Sequence, residues 1–406
     1  MLPAIQFAVR SFGRASRAIC VTAVFVALAM MGGAAGAAPS IVVEVHSGKV
    51  ISDHQPFDRW YPASLTKLMT AYTVFDQIRK GRIDLNSPVK VSSNALTEPP
   101  SKMGFPVGTV MTVETAIKIL MVKSANDIAT ATAESVGGSE SAFIAMMNAN
   151  AARLGMRDSH FVNAHGLHDP QQYSSARDLA LLAIAIKKEF PRYARFFSIQ
   201  AIKAGKRRLS NHNPLLFRFN GTNGMKTGFT CASGLNIVAS AKKGARELVA
   251  VVLGGPTGQE RNVRAARLLN EGFSKSAFFS KKTVDDLKPV GIARRVPVDM
   301  RETVCARKKP KSATTAAAGA SIFALQQPTL DDLEEKYLKK EVAITKIEPI
   351  SLGHATGPDP FGLLGGEAQP SVTAYNGADD NTGGKWPIVF GTKNVKVPVP
   401  EPRPQR

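Results

Sequence analysis

Cysteine is scarce in this 406-residue chain: there are three, and one of them, Cys20, falls in an apolar N-terminal run. Cys231 and Cys305 remain, too few for a disulfide framework. In an exported chain two cysteines can pair or stay free, and the sequence leaves both open. Taken alone, Cys231 reads as small buried packing. Acidic residues are also few, 32 against 52 Lys and Arg, and the net charge is +20. Such an excess points to an anionic partner: nucleic acid, a membrane surface or an acidic polymer. With 33 glycines and 25 prolines, the chain is far from collagenous or low-complexity composition. Only one segment is apolar enough to enter a bilayer, which excludes a multi-span membrane protein. What is present is a 44% hydrophobic content, enough to bury a core and to exclude a wholly disordered chain. The length allows two or three domains.

Arg10, Arg14 and Arg17 precede an apolar run from Ala18 to about Gly33, and Ala34, Ala35, Gly36, Ala37 and Ala38 follow. A basic start, a short apolar core and an A-x-A-like end define a secretory signal peptide, with cleavage expected near Ala37. The run is shorter than the roughly 18–20 residues of a spanning helix, which argues against a retained anchor. The expected localisation is therefore exported and periplasmic. Export also argues against nucleic acid as the partner of the positive charge.

The mature chain divides by composition. Residues 38–279 alternate strand-like and helix-like patterns, whereas 280–406 are basic and rich in Pro, Ala and Gly. Two apolar runs around Ser47-Gly48 predict a hairpin. Leu65, Leu68, Met69, Tyr72, Phe75 and Ile78 recur at helical steps up to Gly81, and the opposite face is also fairly apolar, which predicts a centrally buried helix. Three helical stretches are expected within 112–154, capped in part by Thr112 and Ser139, and another from about Ser175 to Lys188. Leu235–Ala241 and Glu247–Gly255 read as paired strands, followed by a helix around Glu260–Gly272. Strands at both ends with helices between them predict an α+β domain with an antiparallel sheet. In the tail, 311–328 and 349–406 are expected to be mostly disordered. A short helix is expected at 330–342, capped by Thr329, with Leu330, Leu333, Tyr337 and Leu338 on one side.

The chemistry gathers at three motifs. Ser64-Leu65-Thr66-Lys67 opens the buried helix, and three residues are close to one turn, so Ser64 and Lys67 share a face. A serine hydroxyl needs a base to become a nucleophile, and lysine serves only if burial or a neighbouring cation depresses its pKa. Ser240–Lys243 also fits S-x-x-K, but in a strand-and-turn setting where the side chains diverge. Ser124-Ala125-Asn126 is an S-x-N tripeptide between helices; Ser92-Ser93-Asn94 is a competing match in a polar loop. Lys226-Thr227-Gly228 offers a cation, a hydroxyl and an open backbone, a strand edge fit to hold an extended peptide and its carboxylate.

In that order, Ser64, Ser124 and Lys226, the trio resembles penicillin-binding proteins and serine β-lactamases. PASLTKLMT, KSANDIA, FVNAHGLHD with YSSARDLA, and GMKTGFT resemble more closely the low-molecular-mass D-alanyl-D-alanine carboxypeptidases, over roughly residues 40–275. The resemblance implies a β-lactamase/transpeptidase-like fold with an all-helical subdomain. It implies that Ser64 is acylated, Lys67 is general base, Ser124 relays a proton to the leaving D-alanine, and Asn126 fixes Lys67 and the substrate amide. Lys226 would help keep Lys67 neutral, Thr227 would bind the terminal carboxylate, and Gly228 would allow close approach. The N–H groups of Ser64 and Phe229 would form the oxyanion hole. Arg261 would lie near the carboxylate, unless it is an ordinary solvated helix charge. No cofactor or metal is implied. His160, His165 and His168 with Asp169 are instead a polar turn, and Glu134 is a helix-surface carboxylate rather than a water-activating base. Expected partners are peptidoglycan stem peptides and, as covalent inhibitors, β-lactams. No nucleic acid is expected, and at most loose electrostatic contact with the membrane. Competing activities are D,D-endopeptidase, β-lactamase and non-catalytic penicillin sensing. Many family members carry a β-rich second domain and an amphipathic C-terminal anchor; by their composition, residues 280–406 are expected to form neither.

Overall fold

The computed structural model describes residues 38–275, 282–306, 328–345 and 347–365; the expected signal peptide lies outside them. The hairpin expected around Ser47-Gly48 is β1 (Ser40–Glu44) and β2 (Val50–His54). A short 3-10 turn, Ala63–Leu65, then leads into α1 (Thr66–Arg79). All but two of its residues are buried, Lys67 among them, so this is the central helix that apolar faces all round predicted. Gly81, with φ +70°, donates its N–H to the Ile78 carbonyl past the helix end, a turn that a side chain would strain.

A helical subdomain follows: β3 (Pro88–Lys90), α2 (Ser93–Thr97), β4 (Val110–Thr112), α3 (Val113–Val122), α4 (Asn126–Gly137) and α5 (Glu140–Arg153). It is not purely helical, because β3 and β4 pair antiparallel across its edge. The expected caps form: the hydroxyls of Thr112 and Ser139 accept N–H groups from Thr115 and Ala142. Next come α6 (Ala176–Glu189), β5 (Ala201–Ala204), β6 (Arg207–Ser210) and a single turn, α7 (Leu215–Arg218). β7 (Thr222–Thr230), β8 (Gly234–Lys243), β9 (Arg246–Gly255) and α8 (Gly258–Ser274) complete the domain.

The main sheet has strand order β2-β1-β9-β8-β7, antiparallel throughout, with β7 at one edge. Alternate residues of its strands face two cores. Val238, Val249 and Val251 join the core that holds α1 and α6, whereas Ile237, Ala239, Ala250 and Val252 meet α8. Burial on both faces is why these strands read as unbroken apolar runs.

The tail departs from expectation. Residues 282–306 run over the domain: Val284 donates to the Gly48 carbonyl, Arg294 to Asp58, and Met300 to the Ala232 carbonyl. Cys231 and Cys305 are bonded to each other, so Cys231 is neither free packing nor a thiol. After α9 (Arg301–Val304), the expected tail helix is α10 (Leu330–Tyr337), capped by Thr329 and shorter than 330–342. It ends because Leu338 turns in to a buried site under the outer face of the sheet, and Lys339 donates to the Arg218 carbonyl. Residues 349–365, part of the 349–406 expected to be mostly disordered, are docked; 311–327 and 366–406 lie outside the described residues. β10 (Ile347–Pro349) pairs parallel with β5, giving a second sheet of order β10-β5-β6. Ile350 and Leu352 pack on the main core, and the Phe361 ring lies over Gly138. Apolar side chains spaced through a polar segment supply that docking, a signal that overall composition conceals.

Candidate active site

Three elements meet at one cleft. The 3-10 turn sets Ser64 at the foot of α1; Ala63 before it holds φ +48°, and Gly166, φ +91°, packs so tightly there that a Cβ would lie 2.0 Å from the Ala63 carbonyl oxygen. Ser124 links α3 to α4 with φ +61°. Left-handed conformations of non-glycine residues are held only where the surroundings enforce them. The edge strand β7 forms the opposite wall, and at Gly228 a Cβ would lie 2.9–3.0 Å from Pro62 O, Ser64 N and Leu65 N. Glycine there lets β7 approach the Ser64 backbone.

Lys67 is fully buried, and its Nζ meets three oxygens: Ser64 Oγ at 3.1 Å, Asn126 Oδ1 at 2.8 Å and the His165 carbonyl at 2.6 Å. Asn126 is oriented by its own amide, which donates to the Pro99 carbonyl at 2.9 Å. Two of the three partners can only accept, so they take two N–H bonds. In a neutral amine the third direction is the lone pair, and it faces the Ser64 hydroxyl. Burial, then the nearby Lys226 cation, hold the Lys67 ammonium well below its ordinary pKa, against the opposing pull of Asp127 and Glu98. Ser124 Oγ is buried without a hydrogen-bond partner among the described residues, as suits a group that acts on substrate.

The cleft is an open cavity of about 310 Å³. Ser64, Ser124 and Asn126 line it from the side of α1 and the α3–α4 turn, Thr227, Gly228 and Phe229 from β7, and Arg261 is also in the lining. Lys226 sits behind the wall, its ammonium donating to the Thr227 carbonyl; burial, then Arg261, lower its pKa to about 7. Arg261 is buried rather than solvated, and burial lowers its pKa to about 10, so it remains a cation at neutral pH. All nine site residues expected from sequence converge here.

The remaining candidates stand elsewhere. Ser92 caps α2 and donates to Glu134, which also takes the Asn94 amide; Ser240 on β8 donates to Asn223. His168 packs edge-on against Tyr61. His165 lies with Glu98 and Glu140, ligand-type atoms within 4.8 Å of one another. Its Nδ1 accepts the Leu167 N–H at 3.0 Å, so Nε2 carries the proton toward Glu98 at 3.3 Å. That tautomer leaves no ring lone pair for a metal. His165 serves the site through its carbonyl, a contribution no side-chain motif could reveal. His212 was also missed: it opens onto the cleft, and its carbonyl accepts the Thr227 hydroxyl. Crowding in the cleft, then the cations Lys226, Lys123, Arg261 and Lys67, lower its pKa to about 4. Its signal was only nearness in sequence to Lys226.

A buried lysine facing a serine at a helix start, an S-x-N turn and a cationic strand edge define a serine acyl-transfer enzyme of the penicillin-recognising class. Residues 29–257 match the D-alanyl-D-alanine carboxypeptidase family, and the chain belongs to it. It is 33% identical over 362 residues to D-alanyl-D-alanine carboxypeptidase DacC of Escherichia coli, covering 86% of each. Penicillin binding protein 5 of Haemophilus influenzae aligns at TM-score 0.56 and 34% identity, over 59% of this chain and 71% of that one. Penicillin-Binding Protein D2 of Listeria monocytogenes, solved with cefotaxime bound, aligns at TM-score 0.53 and 26% identity, over 58% and 97%.

Proposed function

We propose that this protein removes the terminal D-alanine from peptidoglycan pentapeptide stems through an acyl-enzyme on Ser64. The observation that carries the reading is Lys67, whose two N–H bonds to acceptors leave its third direction for the Ser64 hydroxyl. Lys67 takes that proton as Oγ attacks the carbonyl of the penultimate D-alanine. The N–H groups of Ser64 and Phe229 hold the oxyanion that forms, a contribution of about 3–4 kcal/mol in comparable enzymes. Ser124 passes the proton to the departing amine, the C–N bond breaks, and water then hydrolyses the ester. Thr227 and Arg261 bind the terminal carboxylate within the positive field of Lys226, a charge-assisted arrangement. A β-lactam follows the same path to a covalent adduct on Ser64.

Residues 1–37 are proposed to direct export to the periplasm, with 38–279 as the catalytic unit and 280–406 as its appendage. Among the described residues no helix is long and apolar enough to cross a membrane. The test is D-alanine release from a pentapeptide ending in D-Ala-D-Ala. Ser64→Ala is expected to lower the rate by roughly 10³-fold or more and to abolish the β-lactam adduct. Penicillin acylation of the wild type without release would replace this reading with cleavage of cross-linked stems.

A further inference from the structure

The hairpin of β5 and β6 carries positive charge that the proposed reaction does not use. Lys203 and Arg208 stand directly opposite each other across the two strands, both exposed, and Lys206 lies at the exposed turn. None of the three has an ion pair or side-chain hydrogen bond with a described residue. Like charges in direct cross-strand register destabilise a sheet, so this pairing costs stability unless an anion lies across it. The inward residues Ile202, Ala204 and Leu209 anchor the hairpin on the main core.

The row continues toward the catalytic cleft. Along the chain from β6, Arg208, Ser210 and His212 are exposed at every second residue, while Arg207, Leu209 and Asn211 between them are partly or fully buried. Within β6, Arg208 and Ser210 share one face, and His212 lies exposed at the bend just beyond the strand. The Asn211 N–H donates to the Gln200 carbonyl at 2.8 Å, carrying the ladder past the end of β6. His212 is itself part of the cleft lining. β6 is also the terminal strand of its sheet, so its outer backbone edge can accept an extended peptide. The row ends at His212, whose carbonyl accepts the hydroxyl of Thr227, a residue assigned to the substrate's terminal carboxylate.

We propose that this face of the β5–β6 hairpin is an accessory binding surface for the carboxylate-bearing peptides of intact wall polymer, holding the enzyme on the strands it trims. The proposal rests on the function above. It is tested with Lys203→Ser/Lys206→Ser/Arg208→Ser by co-sedimentation with purified sacculi, with sacculi whose carboxylates have been converted to neutral amides, and with anionic phospholipid vesicles. D-alanine release from free pentapeptide is followed in parallel. At low salt the triple variant is expected to bind sacculi about tenfold more weakly than the wild type. The difference should vanish on neutralised sacculi and at about 0.5 M salt, while release from free pentapeptide stays within about twofold, because the three side chains do not line the cleft. Equal retention of both proteins on untreated sacculi would overturn the proposal. So would a loss of binding confined to the vesicles, which would assign the face to a membrane surface. Absence of release by both proteins would refute the catalytic reading, and the sedimentation result would still decide the surface.

Discussion

A lysine can act as a base near neutrality only because its ammonium is expensive to bury. At Lys67 burial and the Lys226 cation both favour the neutral amine, so the sign of a change at Lys226 follows. Lys226→Met removes a charge that repels the Lys67 ammonium below about pH 7, raises the Lys67 pKa there, and should move the rising limb of the acylation-pH profile to higher pH. Stopped-flow acylation by a chromogenic β-lactam between pH 6 and 11 measures this; an unmoved limb would separate the two lysines. Arg261 plays another part, a buried cation in the lining of the cleft. Arg261→Ala should weaken binding of the D-Ala-D-Ala terminus by roughly tenfold to a hundredfold, the worth of a hydrogen bond to a charged group. The rise is expected in KM for the peptide, with a smaller effect on acylation by an esterified, uncharged analogue.

At the scale of elements, the cleft depends on how closely β7 approaches the start of α1. A methyl at Gly228 would press on three backbone atoms that cannot swing aside. Gly228→Ala should therefore lower kcat/KM by about tenfold or more, since small displacements of reacting groups are costly. It should lower Tm by only a few degrees, as β7 keeps its full ladder with β8. Steady-state kinetics beside thermal melting would distinguish this from general unfolding. The turn after β7 carries Cys231, tied to Cys305 across 74 residues. Removing such a crosslink costs about 2–4 kcal/mol. Cys231→Ser/Cys305→Ser should melt earlier than the oxidised wild type, by an amount that reducing agent reproduces. Activity should persist, because Thr230 and Ser233 also close the turn through hydrogen bonds.

At the scale of the molecule, the described segments of the tail are part of the folded body. Leu338 is 4% exposed and completes the cluster under the outer face of the main sheet, with Leu330, Leu333 and Tyr337 packed against it. Leu338→Ala should destabilise the protein by about 2–3 kcal/mol, read as a lower urea midpoint with acylation by penicillin unchanged under native conditions. An unchanged midpoint would mean that the tail contributes no net stability. The tail also supplies β10 to the small sheet whose far edge is β6, so the basic hairpin is braced by residues more than a hundred positions away.

The proposed site residues were legible in sequence because their spacing is local: Ser64 and Lys67 are one helical turn apart, and Lys226, Thr227 and Gly228 share one strand. The central helix and the paired strands were legible because burial on all sides leaves an unbroken apolar record. Contacts made by backbone atoms left no such record. The His165 carbonyl that orients Lys67 and the His212 carbonyl that takes the Thr227 hydroxyl are independent of the side-chain patterns that a sequence displays, and the few apolar side chains that dock 347–365 are diluted in a polar segment. The same holds for Arg261 and for Cys231 with Cys305. Their residue types permitted either of two fates, a buried or solvated cation and a bonded or free thiol, and only distance across the fold chose between them.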